Sequence, residues 1–172
     1  MLPDPLHPAI VHFPIVLLLL GAPLAILSVF LRKWHLPVLA AIVLSLGAAG
    51  ALAATWTGEN DAEMAGELAG NGEQTLDEHE EWGKRARNAG IVAALLSITS
   101  AALIRKPVAG GAVGAVAAVA AVAAAFSVAQ AGHYGGQVVY KFGAGVNIAA
   151  GEAAASPAGG IEKTKPSKGD DD

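Results

Sequence analysis

Apolar residues run almost unbroken from Ala9 to Leu31, with His12 as the only strongly polar residue. As a helix this stretch rises about 34 Å, enough to cross a hydrocarbon layer of about 30 Å with some tilt. Pro14 and Pro23 lie inside it, so the carbonyls of Ile10 and Leu19 lose their usual amide partners, and a start or bend near Pro14 is expected. Arg32-Lys33-Trp34-His35 ends the run, and a second uncharged one covers residues 36–55. Residues 59–81 then hold nine of the fifteen acidic residues and read as a solvent-facing loop, with a short helix over 60–69. A helix start near Thr75, with Glu78 three residues on, resembles a capping box. The third span covers 88–104, extended back as a helix to about Leu76, and the fourth covers 108–131. Residues 1–145 thus predict an all-α membrane protein, an up-and-down bundle of four transmembrane helices with an acidic loop or short helix between the second and third. Residues 146–172 read as a flexible polar tail.

Composition sharpens this picture. Of 172 residues, 53% are hydrophobic and 15% charged, against about 25% charged in soluble domains. A chain this short cannot hide four apolar helices from water, which argues against a soluble bundle. Glycine and alanine dominate the spans, and stripes such as Gly47, Gly50, Ala51 and Ala54 suit close helix contact in lipid. The opening residues carry no Lys or Arg, so the first span is expected to be retained rather than cleaved as a signal peptide. The absence of cysteine excludes disulfides, thiolate metal ligands and covalently attached haem. The net charge of −4, without a sizeable basic cluster, excludes nucleic acid as a partner.

Charge also orients the bundle. Arg32 and Lys33 in the first connection, with Arg105 and Lys106 in the third, assign that side to the cytoplasm of a bacterial inner membrane. Lys84, Arg85 and Arg87 at the outer end of span three point the other way. On the majority assignment both termini are periplasmic. Whichever side is which, antiparallel threading puts His7, His12, His79 and His133 on one membrane face and His35 on the other. His79, Trp82, Ala86, Ala89 and Ala93 recur at helical spacing, so His79 should share the inward face.

Imidazole is a neutral ligand for haem iron, copper, zinc and non-haem iron. A haem b reading takes axial ligands from His12, His79 and His133. His7 serves as a fourth ligand or a neighbouring contact, Gly132, Gly135 and Gly136 let backbone approach the macrocycle, and Tyr134 or Arg85 meets a propionate. A competing reading joins these histidines to Glu59, Asp61 or Glu63 around a Cu, Zn or non-haem Fe ion. The plain alternative is four interfacial histidines that cap carbonyls or pair with acids; His35 is read this way. No charge lies in the middle of a span, which weighs against an ion pump or proton-coupled transporter. No phosphate-cradling loop, HExxH or catalytic triad pattern is present.

The segment Leu6-His7-Pro8-Ala9-Ile10-Val11-His12-Phe13-Pro14 resembles the opening of a widespread bacterial family of small predicted membrane proteins without an assigned activity. Thr57-Gly58, His79, and Gly132-His133-Tyr134-Gly135-Gly136 with Val139-Tyr140 are similar to that family in the same order, over about residues 6–145. The resemblance implies a four-helix protein, and relatives joined to c-type cytochrome modules imply redox work.

The expectation is therefore a haem b-binding, non-enzymatic electron carrier in the lipid bilayer, with a c-type cytochrome or respiratory complex as partner and self-association as a possibility. Its alternatives are a non-haem metal protein and a cofactor-free structural subunit.

Overall fold

The structure, a computed structural model, describes residues 6–32, 35–61, 68 and 70–144. The proposed tail, Lys33, Trp34, Glu63, Glu67 and most of the expected 60–69 helix lie outside the described residues.

The described chain is all helix: α1 (His7–Ile10), α2 (His12–Phe30), α3 (Leu36–Asp61), α4 (Gly72–Ala102) and α5 (Pro107–Tyr140). Pro14 cannot supply the amide that would bond the Ile10 carbonyl. The helix is accordingly interrupted at Val11, although Val11 keeps helical torsions (φ −61°, ψ −27°). α1 and α2 therefore act as one segment, and the result is a bundle of four. Each helix packs against its two neighbours around a ring, α2 on α3, α3 on α4, α4 on α5 and α5 on α2. Three segments, His7–Phe30, Leu36–Asp61 and Pro107–Tyr140, are long and apolar enough to cross a membrane. α4 differs: its first half is charged, and its apolar half from Asn88 to Ala102 rises only about 22 Å.

Small residues set the packing. Leu18 and Leu44 are the largest fully buried aliphatic side chains, surrounded mostly by alanine. A Cβ at Gly47 would lie 3.0 Å from Leu18, one at Gly90 3.1 Å from it, and one at Gly21 would collide with Leu44. The large apolar side chains point the other way: Val16, Leu19 and Phe30 on α2, and Val116, Val119 and Phe126 on α5, are exposed. In lipid such an outer face is satisfied, so tight contact between small residues, rather than escape from water, draws the helices together.

Two helix boundaries differ from those the sequence suggests. α4 starts at Gly72, and the Thr75 hydroxyl donates to the Asn71 carbonyl (2.9 Å) instead of accepting as a cap. α5 continues to Tyr140 through Gly132, Gly135 and Gly136, because each glycine weakens a helix by only about 0.5–1 kcal/mol.

The end holding the α2–α3 and α4–α5 turns is closed. Arg32 turns inward, its Nη1 donating to Ser100 Oγ (3.1 Å) and its Nη2 to the Ser100 carbonyl (3.1 Å). Ser100 Oγ donates onward to the Gly110 carbonyl (2.8 Å). His35, at φ 58°, offers its carbonyl to the amides of Val38 and Leu39 at the start of α3. Its imidazole is exposed.

Candidate functional site

The other end of the bundle is open. A cavity of about 400 Å³ lies among all four helical segments there. Pro14, Ile15, Leu18, Ala51, Ala86 and Val128 line it toward the bundle middle, and His7, Glu59, Asp61, His79, Glu80 and Lys84 line it toward the helix ends. The volume falls within the range of about 300–1,000 Å³ typical of small-molecule sites.

His7 opens α1. Its amide donates to Asp61 Oδ2 (2.8 Å), so the last residue of α3 caps the first of α1. Its ring Nδ1 lies 2.8 Å from the Ala54 carbonyl on α3. A carbonyl can only accept, so Nδ1 carries the proton, and in the neutral ring Nε2 keeps the lone pair. His79 repeats this arrangement from α4: Nδ1–H donates to the Ala131 carbonyl of α5 (2.8 Å). Neither Nε2 has a hydrogen-bond partner among the described residues. The two rings lie with centroids 6.1 Å apart and planes at 83°. A backbone carbonyl holding Nδ1–H while Nε2 stays available is the usual second-layer arrangement behind a metal-bound histidine.

Glycine makes both contacts possible. A Cβ on Gly58 would come within 3.1 Å of the His7 ring, and one on Gly135 within 2.9 Å of the His79 ring. Acid and base mix at the cavity edge, where Lys84 pairs with Glu80 (3.1 Å) and lies 3.9 Å from Glu59. These side chains are about a third to a half exposed, so the pairs shape the edge more than they stabilise it.

The other two expected ligands lie elsewhere. His12 is exposed, and its Nδ1–H donates to the Pro8 carbonyl (2.7 Å). Five residues of helix rotate its position about 140° from that of His7, so the same helix cannot aim both rings inward. His133 is exposed as well; the Gln137 side-chain amide donates to its Nε2 (2.9 Å), and its ring stacks edgewise on Tyr134. Position 133 is about 200° around α5 from 131 and from 135, the two that meet His79. Of the residues considered for propionates, Arg85 stacks on Trp82 (4.5 Å) and pairs with Glu81, while Tyr134 stacks on His133. Neither lines the cavity. Gly132 and Gly135 do, and Gly136 does not.

Among the described residues, no group of three or more His, Asp or Glu side chains is placed to hold a metal ion. The site as built offers two imidazoles in a largely apolar cavity. What sequence reasoning missed is the mounting role of two backbone pairs, Ala54 with Gly58 and Ala131 with Gly135. Their signal is an alanine and a glycine four apart, at the carboxyl end of a span whose predecessor begins with histidine.

A model of the family described as Predicted membrane protein (DUF2231) matches residues 3–148. No curated protein and no solved structure matches the chain.

Proposed function

The chain belongs to the DUF2231 family of predicted membrane proteins, and from that premise we propose that it is a haem b-binding electron carrier in which His7 and His79 would hold the haem. The observation that carries the reading is the pair of imidazoles itself. Each is fixed through Nδ1–H to a backbone carbonyl, and their ring centres are 6.1 Å apart beside an apolar cavity. A haem carries nitrogen ligands of its own, so two imidazoles from the protein would suffice to hold it. A bare copper, zinc or non-haem iron ion would ask for more donors than the described residues gather.

Haem in such a site would supply reversible one-electron chemistry. The protein's part is to orient and insulate. The Ala54 and Ala131 carbonyls fix ring rotation and increase the basicity of Nε2. Leu18, Val128 and the alanine walls keep water from the inner side of the cavity. The mixed edge of Glu59, Glu80 and Lys84 is where a soluble redox partner, such as a c-type cytochrome or a domain of a respiratory complex, would approach. In this reading the protein sits in the bacterial inner membrane. Arg32, Arg105 and Lys106 mark the cytoplasmic end, and the histidine end with both termini faces the periplasm.

Protein purified from haem-replete cells is expected to show a Soret band and about one haem per chain. His7→Ala and His79→Ala should each abolish or shift that spectrum. A colourless preparation from such cells sinks the proposal.

A further inference from the structure

His7 and His79 occupy matching places in two halves of the chain. Each precedes the apolar core of its own helix and reaches across to the next, meeting a carbonyl four residues before a glycine. For His7 these are Ala54 and Gly58, and for His79 Ala131 and Gly135, at separations of 47 and 52 residues. In an α-helix the carbonyl of one residue and the amide four residues on share a hydrogen bond. A ring that reaches that carbonyl from the side therefore lies against the later residue. The Cβ distances say so directly: 3.1 Å from Gly58 to Nδ1 and Cε1 of His7, and 2.9 Å from Gly135 to the same atoms of His79. Both atoms belong to the edge of the ring that makes the hydrogen bond, so an added methyl displaces the ring and lengthens the bond. Gly83 and Gly132 provide the contrast. They line the same cavity, yet a Cβ on either meets nothing within 4 Å.

We propose that Gly58 and Gly135 are positioning residues, twin notches that hold His7 and His79 in the Nδ1–H form with Nε2 available to a ligand in the cavity. Each helical hairpin, α1–α2–α3 and α4–α5, thus contributes one mounted imidazole to a shared site. The role of the notches in holding haem rests on the reading above, but the tautomers they impose do not.

The test uses the full-length protein, labelled with ¹⁵N-histidine and held in lipid nanodiscs without haem, at a pH above the imidazole range. Long-range ¹H–¹⁵N spectra distinguish a protonated ring nitrogen from a bare one. Wild type should show Nδ1–H and bare Nε2 at His7 and His79, whereas unconstrained histidines favour Nε2–H. Gly58→Ala should release His7 alone and Gly135→Ala should release His79 alone, while Gly132→Ala leaves both unchanged. Two results overturn the proposal: Nε2–H at both positions in wild type, which needs no variant to fold, or spectra untouched by both notch substitutions. Hemin titration separates the two readings. If hemin binds, each notch variant should weaken it by about 10–100-fold. If hemin leaves correctly tautomeric wild-type rings unperturbed, the notches stand and the haem assignment falls.

Discussion

The two ends of the bundle use the same device for different purposes. At the turn end, the Arg32 guanidinium is laid against Gly110 and Gly114 and donates into Ser100, which donates into the Gly110 carbonyl. At the open end, two imidazoles are laid against Gly58 and Gly135 and donate into carbonyls. In both places glycine lets a polar side chain reach the backbone of a neighbouring helix. The difference is in what remains. Arg32 has donors only: Nη1 and Nη2 tie α2 to the α4–α5 turn, while Nε is buried without a partner among the described residues. Each imidazole donates through Nδ1 to a carbonyl, with the Thr57 hydroxyl a further 3.5 Å contact of the His7 Nδ1, and each keeps Nε2 as an acceptor beside the cavity. What the protein leaves over decides the role: a buried donor on Arg32, and on each cavity-lining imidazole a lone pair that a ligand can use.

The sharpest break in the comparison comes from adding one carbon at each end. Gly110→Ala drives its Cβ into Arg32 Nη2 and to 2.7 Å from the Leu103 carbonyl oxygen. The guanidinium can swing away, but the backbone carbonyl cannot. Overpacking of this kind costs about 1–3 kcal/mol, and the upper part of that range is expected in unfolding measured in detergent. Gly132→Ala at the open end meets nothing within 4 Å and should be neutral, or stabilising by about 0.5–1 kcal/mol through the better helix propensity of alanine. Equal losses at the two positions would mean that the open end is packed as tightly as the closed one.

Arg32→Met probes whether the ends are independent. It removes two hydrogen bonds to Ser100. Polar contacts between membrane helices are worth about 0.6 kcal/mol on average and at most about 1.7, so a loss of about 1–2 kcal/mol is expected. Cofactor content and absorption spectrum should not change. A spectrum altered by Arg32→Met would show the two ends to be coupled through the bundle and would blur the distinction drawn above.

Much of this was legible in the pattern of residues, for identifiable reasons. Span lengths and apolar composition led to the all-α bundle, because in lipid every backbone polar group has to be satisfied within the segment. Threading placed the histidines at one end, because antiparallel helices leave no other arrangement. The inward face of α4 also follows from spacing: Ala86 and Ala93 are buried below His79 on the face that packs inward. The helix boundaries at Gly72 and Tyr140 were not legible. Glycine reads as a breaker in water, yet a helix held by its neighbours runs through it. The mounts were hidden as well, since a carbonyl–imidazole contact joins residues some 50 apart and leaves only a common Ala-x-x-x-Gly spacing behind.

The smallest expected effect discriminates most finely, because it concerns histidines that differ from the mounted pair only in angle. His12 is one and a half turns from His7, and His133 lies between Ala131 and Gly135 but on the far side of α5. Both are exposed, and their hydrogen bonds run within their own segments, to Pro8 and from Gln137. Replacing either by alanine removes no contact between helices and no atom lining the cavity. The change in stability should stay within about 0.5 kcal/mol, and the haem spectrum should match wild type. Loss of haem in His133→Ala with retention in His79→Ala would instead require α5 to turn by about half a revolution. That rotation would take Gly135 away from His79 and bury the exposed valines of α5, so the spectrum of one exposed-histidine variant tests the rotational setting of the whole helix.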